Sequence, residues 1–271
     1  MSASPSALPR SVIVTRLRAA GCVFADDEAQ LLISEARSPS DLEGMVERRV
    51  AGHPLEQVLG WAEFCGLRIA VEPGVFVPRR RTEVLVRRAA ALAGPRAVVV
   101  DLCCGSGAVG AALLAAADVA ELHAVDIDPA AVRCARRNIP VTDGRVYEGD
   151  LYEALPRTLM GRVDILVANA PYVPTEAIGF MAPEARLHES RVALDGGRDG
   201  LDLVRRISAA APRWLAPGGH LLVETSERQA VGAVETFARD GLIPRMVSSD
   251  ELNAAVVIGI RPDSGPGGQG G

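Results

Sequence analysis

The chain has 271 residues, 48% of them hydrophobic and 4% aromatic, with a formal net charge of −5. That length and apolar fraction suit one large globular domain beside a smaller one and exclude a disordered chain. The acidic balance argues against a broad nucleic-acid footprint, and the basic runs Arg79-Arg80-Arg81, Arg136-Arg137 and Arg205-Arg206 read as solvated faces. Met1 to Pro9 is rich in Ser, Ala and Pro and reads as frayed. From Ser11 the pattern turns helical, with Val12, Leu17, Ala20, Val23 and Phe24 at loose helical spacing. A second helix fits Ala25 to Glu35. A third, capped by Ser40 or Asp41, runs to Gly52. Residues 1–60 thus form a small helical domain, either a substrate-docking unit or a stabilising cap. In the linker, residues 61–81, Trp61 to Phe64 and Leu67 to Val71 flank Cys65-Gly66 as a β-hairpin. Thr82 then caps a helix from Glu83 to Leu92.

From Ala97 strands and helices alternate, and residues 82–261 form the main domain. Strands are expected at Ala97–Leu102, Glu121–Asp126, Arg145–Glu148, Val163–Ala168 and His220–Glu224. Helices fill Ala108–Ala117, Pro129–Asn138, Leu201–Leu215 and Glu227–Asp240. This alternation implies a mainly parallel sheet covered on both faces. The last two strands, Leu242–Val247 and Ala254–Ile260, are joined by too few residues for a helix and should pair antiparallel. Seven strands closed by an antiparallel hairpin is the pattern of class I S-adenosylmethionine-dependent methyltransferases, a seven-stranded Rossmann-like α/β fold. Residues 262–271 are Gly-rich and read as a disordered tail, whose Gly267-Gly268-Gln269 is a linker element.

The first strand runs into Cys103-Cys104-Gly105-Ser106-Gly107, a glycine-bearing loop at the carboxyl end of a buried strand, where open α/β sheets bind ligands. About twenty residues later Asp126 ends the next strand, placed for two ribose hydroxyls. Asp101, just before the loop, would repel a pyrophosphate and attract the amino group and sulfonium of S-adenosylmethionine, which favours that cofactor over NAD. Asp150 and Leu151, after the third strand, suit the adenine amino group and ring face; Asp150 also reads as a cap for Tyr152 to Leu155. Adjacent Cys103 and Cys104 seldom pair and read as small, soft residues where backbone passes close to ligand. The apolar run Val163 to Val167 delivers Asn169-Ala170-Pro171-Tyr172 to the sheet edge. An Asn carboxamide offers both acceptor and donors, Pro171 restricts the chain, and a Tyr ring can cover a planar group. The same stretch also reads as a strand-ending turn.

These motifs resemble the protein-glutamine N5-methyltransferases that modify the Gly-Gly-Gln loop of peptide-chain release factors. The resemblance runs from about Pro54 to Glu224. It is carried by Pro54-Leu55-Glu56-Gln57, Pro73-Gly74-Val75-Phe76-Val77-Pro78-Arg79 with Thr82-Glu83, Pro183-Glu184-Ala185-Arg186, and the long Ala193 to Asp202 stretch. It implies that Cys103 to Gly107 cradle the methionine part of the cofactor. Asp126, with Ile127, would hold the ribose, and Asp150 and Leu151 would flank adenine. Asn169 and the Ala170 carbonyl would grip a substrate amide, with Tyr172 against it. Ala170 stands where the family has Pro, Cys103 where it has Gly, and Arg80-Arg81 where it has Pro-Glu; Glu224-Thr225-Ser226 lacks its Gly.

The chemistry expected is in-line transfer of a methyl group from sulfonium to a planar nitrogen, by orientation and without a strong general base. Other acceptors compatible with the motif are a nucleobase amino group or a small-molecule amide or amine. A cofactor-binding protein without catalysis is the reading from another class. The partner expected is a protein, with a release factor the leading candidate; no membrane contact is expected, and the chain should be monomeric. The five cysteines lack Cys-x-x-Cys spacing and the His residues are scattered, which argues against zinc and for a reduced, cytoplasmic protein.

Overall fold

The computed structural model describes residues 8–263. Residues 1–7 and 264–271, which include most of the start expected to fray and of the Gly-rich tail with Gln269, lie outside the described residues. Four helices come first: α1 (Arg10–Ala19), α2 (Ala25–Glu35), α3 (Pro39–Val50) and the short α4 (Leu55–Leu59). They close on a core of their own, built from Ile13, Leu17, Leu32, Met45 and Val46. The third helix starts earlier than expected. Ser38, not Ser40 or Asp41, is the cap: its Oγ accepts from Asp41 N at 3.1 Å, and Pro39 takes the first helical position. Next, β1 (Trp61–Phe64) and β2 (Leu67–Ala70) pair antiparallel with Phe64 opposite Leu67. Cys65 and Gly66 both have positive φ, as the tight hairpin turn requires.

The rest of the chain forms a three-layer domain. In order it comprises α5 (Glu83–Leu92), β3 (Ala97–Leu102), α6 (Ala108–Ala116), β4 (Val119–Asp126), α7 (Pro129–Asn138), β5 (Arg145–Glu148), β6 (Val163–Ala168), α8 (Pro183–His188), α9 (Asp202–Trp214), β7 (Leu215–Thr225), α10 (Glu227–Arg239), β8 (Ile243–Ser249) and β9 (Ala254–Ile260). The seven strands align as β5-β4-β3-β6-β7-β9-β8. The first five in that row are parallel, and β9 pairs antiparallel with both β7 and β8. This is the class I methyltransferase arrangement expected from the strand count. Strand β3 is buried along its whole length and feeds both cores. Val100 and Leu102 pack with α9 and α10 residues such as Ile207 and Phe237. Val99 packs on the other face with Leu85 of α5, Leu113 of α6 and Ala135 of α7.

Strand β7 begins five residues before the expected His220. Val163 faces Leu215 but Ile165 faces His220, so Ala216 to Gly219 bulge out of the ladder. No helix among the described residues is long and apolar enough to cross a membrane.

Residues 174–194 cross the carboxyl edge of the sheet as a roof of short turns around α8. The helical cluster holds this roof from outside. Gln57 Nε2 donates to the carbonyls of Val75 and His188, both at 3.1 Å. Arg49 Nε donates to Glu28 Oε2 at 2.6 Å, and its Nη1 reaches Glu184 Oε1 at 3.3 Å. The Arg49 and Glu28 side chains are only 11% and 10% exposed, so removing one strands the other without its partner. Arg49→Ala should cost about 3 kcal/mol and expose the roof to protease. Thermal melts and limited proteolysis test this; an unchanged cleavage rate across 174–194 would show that the roof is held without Arg49.

Candidate active site

Beneath the roof lies a cavity of about 720 Å³, at the carboxyl ends of β3, β4 and β6. Strand order reverses between β3 and β6, so the loops that follow them part and leave a crevice. The residues singled out in the sequence come from four separate loops. Asp101, Cys103, Cys104, Gly105 and Ser106 line the cavity from the end of β3. Asp126 and Ile127 line it after β4, Asp150 and Leu151 after β5, and Asn169, Ala170, Pro171 and Tyr172 after β6. Gly107 is the exception and stands behind the wall. Its φ is +77°, and a Cβ there would meet Ala135 and Ile139 at 3.0–3.1 Å, so it lets the loop pack on α7.

Asp101 is 1% exposed. Its Oδ2 accepts from Gly110 N at 2.9 Å, and burial pushes its pKa up to about 7 against that hydrogen bond. Among the described residues Oδ1 has no such partner, which leaves one oxygen of a reluctantly ionised carboxyl for the cavity. Asp126 ties the loop together: Oδ2 accepts from Gly105 N at 2.8 Å and Oδ1 from Asp128 N at 2.9 Å. Burial raises its pKa as well, with those amides opposing. Gly105 has φ +54° and nothing within 4 Å of where a Cβ would stand, so this backbone is open to close approach.

Cys103, in the family's glycine position, also has positive φ, at 56°. An L-residue there carries strain of about 1–2 kcal/mol. Burial pushes both thiols well above their usual range, reinforced by Asp126 and Asp101, so they stay neutral. Asp150 makes no side-chain cap on the turn after it; its Oδ2 pairs with Arg206 Nη2 at 2.7 Å. Leu151, at φ 49°, is held with its side chain 8% exposed on the cavity wall.

Asn169 stands one residue beyond buried β6, where its carboxamide meets the cavity. Its Nδ2 donates to Thr82 Oγ1 at 3.3 Å. Thr82 therefore does not cap α5 as expected: it has helical φ and ψ and makes no side-chain cap bond. Ala170 is 1% exposed. The backbone of the Asn169–Tyr172 turn and of Val173 after it is held by the glycine-rich stretch after the roof and by Gln229 of α10. Gly196 N donates to Val173 O at 2.8 Å, and Gln229 Nε2 donates to Tyr172 O at 2.8 Å. A Cβ on Gly196 would meet Pro171 O at 2.7 Å, and one on Gly200 would meet Tyr172 O at 2.2 Å. These glycines are what the packing demands. Burial, then Glu224, pushes the Tyr172 hydroxyl up to about 12, so it remains protonated. Arg81 lies 5.6 Å over the Tyr172 ring and pairs with buried Glu224 at 3.1 Å. Thr82, Arg81 and Glu224 were not anticipated at the site. The available signal was a lone acid, Glu224, ending the apolar run Leu221-Leu222-Val223.

Residues 66–198 match the Methyltransferase small domain family. The chain is 40% identical over 220 residues to the release factor glutamine methyltransferase of Geobacter sulfurreducens, covering 80% of this chain and 76% of that protein. It is 36% identical to a 4-amino-L-phenylalanine/4-methylamino-L-phenylalanine methyltransferase of Streptomyces pristinaespiralis, over 80% of this chain and 76% of that one. A methyltransferase structure from Pyrococcus furiosus superposes with a TM-score of 0.56 at 16% identity, covering 82% of this chain and 99% of that one, which establishes the fold. The parallel sheet with its antiparallel hairpin is thus a known methyltransferase fold, and this chain is an S-adenosylmethionine-dependent methyltransferase belonging to the release factor glutamine methyltransferase family.

Proposed function

We propose that the chain transfers a methyl group from S-adenosylmethionine to the side-chain amide nitrogen of a glutamine in a protein, with the Gly-Gly-Gln loop of a release factor as the acceptor. The observation that carries this reading is the Asn169 carboxamide, set at the cavity wall beside the acidic loop that ends β3. The residues present fit the cofactor. Asp101 is a buried carboxylate with a free oxygen and no cation of its own, suited to an ammonium. Open backbone at Gly105 suits close approach of the methionine part. Asp126 retains lone pairs for hydroxyls beyond its two amide donors, and Asp150 with Leu151 offers an acceptor and an apolar face for a ring. When bound, the cofactor supplies an electrophilic methyl on a sulfonium.

The chain itself orients the acceptor. Asn169 Oδ1 and the Ala170 carbonyl accept from the amide NH2, and Tyr172 covers its plane. Holding both N–H bonds in this way favours loss of planarity at nitrogen, so that its lone pair turns toward the methyl; as the N–C bond formed, the sulfonium S–C bond would break to leave a neutral thioether, and one N–H proton would pass to solvent. Such orientation supplies several kcal/mol. Alanine at 170 still provides a carbonyl and is buried in the wall, but it lacks the φ restriction that a proline ring imposes. The roof, tied to the helical cluster through Arg49 and Gln57, is suited to receiving a protein loop. Five free thiols suit work in a reducing cytoplasm. A second reading, a free aromatic amine as acceptor, is favoured by the likeness to the 4-amino-L-phenylalanine enzyme.

Asn169→Ala should lower turnover on an unmethylated release factor at least a hundredfold while leaving S-adenosylmethionine affinity nearly unchanged. Mass spectrometry of the Gly-Gly-Gln peptide reads the first quantity and calorimetry the second. Methylation of 4-amino-L-phenylalanine but not of the release factor would favour the second reading. Cofactor affinity should also depend on pH. Asp101 has a raised pKa, so the empty site holds its proton below pH 7 and loses it above. A cationic ligand favours the carboxylate, so binding should release a proton near pH 6 and tighten as pH rises from about 5 to 8. Calorimetry in buffers of different ionisation enthalpy measures the release. Asp101→Asn should abolish it, and an equal release in that variant would assign the proton elsewhere.

A further inference from the structure

We propose that Thr82, backed by Glu224 and Arg81, is a positioning residue that decides which edge of the Asn169 carboxamide faces the methyl acceptor. The inference rests on the amide-transfer reading above and concerns how its clamp is set. A carboxamide flipped by 180° has almost the same shape but exchanges an acceptor for two donors. An acceptor NH2 requires Asn169 Oδ1 in the cavity; the flipped side chain would present an NH2 to an NH2 and repel it. Something must therefore fix the flip before the acceptor arrives, and a neighbouring hydroxyl does so only if its own proton is committed elsewhere.

The contacts supply that commitment. Thr82 is 2% exposed and Glu224 is 2% exposed, so neither has water to turn to. The Thr82 hydroxyl lies against the Glu224 carboxyl, and Arg81 Nε donates to Glu224 Oε1 at 3.1 Å. A carboxylate only accepts, so the Thr82 proton turns toward Glu224. Oγ1 is then an acceptor toward Asn169, and it takes Nδ2 at 3.3 Å. The same arginine stands 5.6 Å over the Tyr172 ring, so one cation braces both ends of the clamp. Burial raises the Glu224 pKa; Thr82 and Arg81 oppose this and favour the ionised form that the arrangement needs. Arg81 is not free to anchor an acidic acceptor. The cavity-lining Arg79, Arg81, Arg191 and Arg206 are each already paired, with Glu189, Glu224, Asp195 and Asp150. Arg81 spends its charge on the Glu224 carboxyl.

The test has two readouts. The chain holds three asparagines, Asn138, Asn169 and Asn253, so protein labelled with side-chain ¹⁵N asparagine shows three NH2 pairs, and Asn169→Ala identifies one of them. In Thr82→Val, of similar shape but without the hydroxyl, the Asn169 pair should move and lose its dispersion; in Thr82→Ser it should stay close to wild type. With an unmethylated release factor as acceptor, Thr82→Val should lower kcat about tenfold to a hundredfold with KM and cofactor affinity held. Thr82→Ser should restore most of the loss, and Glu224→Gln should fall between. Thr82→Ala, run beside the valine variant, leaves only space at the position, so a misfolded valine variant does not leave the question open. An Asn169 pair unmoved in the valine and alanine variants, or a serine variant as slow as valine, overturns the proposal. Wild-type protein that methylates no release factor overturns the acceptor assignment instead, and the spectra still decide the role of Thr82.

Discussion

The site depends on one topological constraint: the sheet reverses its order between β3 and β6. From β3 the chain walks outward through β4 and β5, then returns to lay β6 on the other side of β3. Parallel strands put all their carboxyl ends on one edge, and the reversal sends neighbouring loops in opposite directions. The acid at Asp126 and the carboxamide at Asn169 therefore face each other across the loop at Cys103, although they are far apart in the chain. No side chain creates this meeting. Side chains only decide what the crevice does once topology has opened it.

Electrostatics decides the next level. The crevice is walled by acids that burial makes costly to ionise, and the structure treats them in two ways. On the side of Asn169 two buried acids each have an arginine: Glu224 has Arg81 and Glu189 has Arg79. Near the end of β3, Asp101 has one backbone amide and, among the described residues, no cation. An uncompensated carboxyl beside compensated ones is where a positively charged ligand gains most, because it supplies the missing partner. The acids near Asn169 are paired, and in the other half Asp150 is paired with Arg206, which leaves Asp101 as the carboxyl held by one backbone amide alone.

Legibility in the sequence followed how local each signal was. Strand β3 could be read, and its glycine loop, Asp126 and the Asn169–Tyr172 turn could be picked out as cavity-lining, because each is a short run whose meaning lies in its neighbours. The hairpin at Cys65-Gly66 and the antiparallel end of the sheet were legible for the same reason. Thr82 was misread because a Thr before a helix satisfies a capping rule, while its true partners, Asn169 and Glu224, are 87 residues or more away. The cap of α3 went to Ser38 because the following Pro39 fits a first helical position, a cue that outweighed the nearer polar residues. The roof was legible only as a motif: its turns are short, and its form is set by Arg49, Gln57 and the backbone of Gly74. Gly107 belonged to the right loop and still packs against a helix rather than toward the cavity.

Strand β9 sits between β7 and β8 although it is the last of the seven strands in the chain. Every residue of the cavity, from the helical cluster's neighbour Phe64 to Arg206, is synthesised before it. Until residues 254–260 are available, β7 keeps a bare edge of backbone donors and acceptors, and β8 has no strand to pair with. A nascent chain thus carries a complete set of site residues on an unfinished sheet, with an apolar edge open to other chains. The sheet that carries the site is therefore completed only when its last strand arrives.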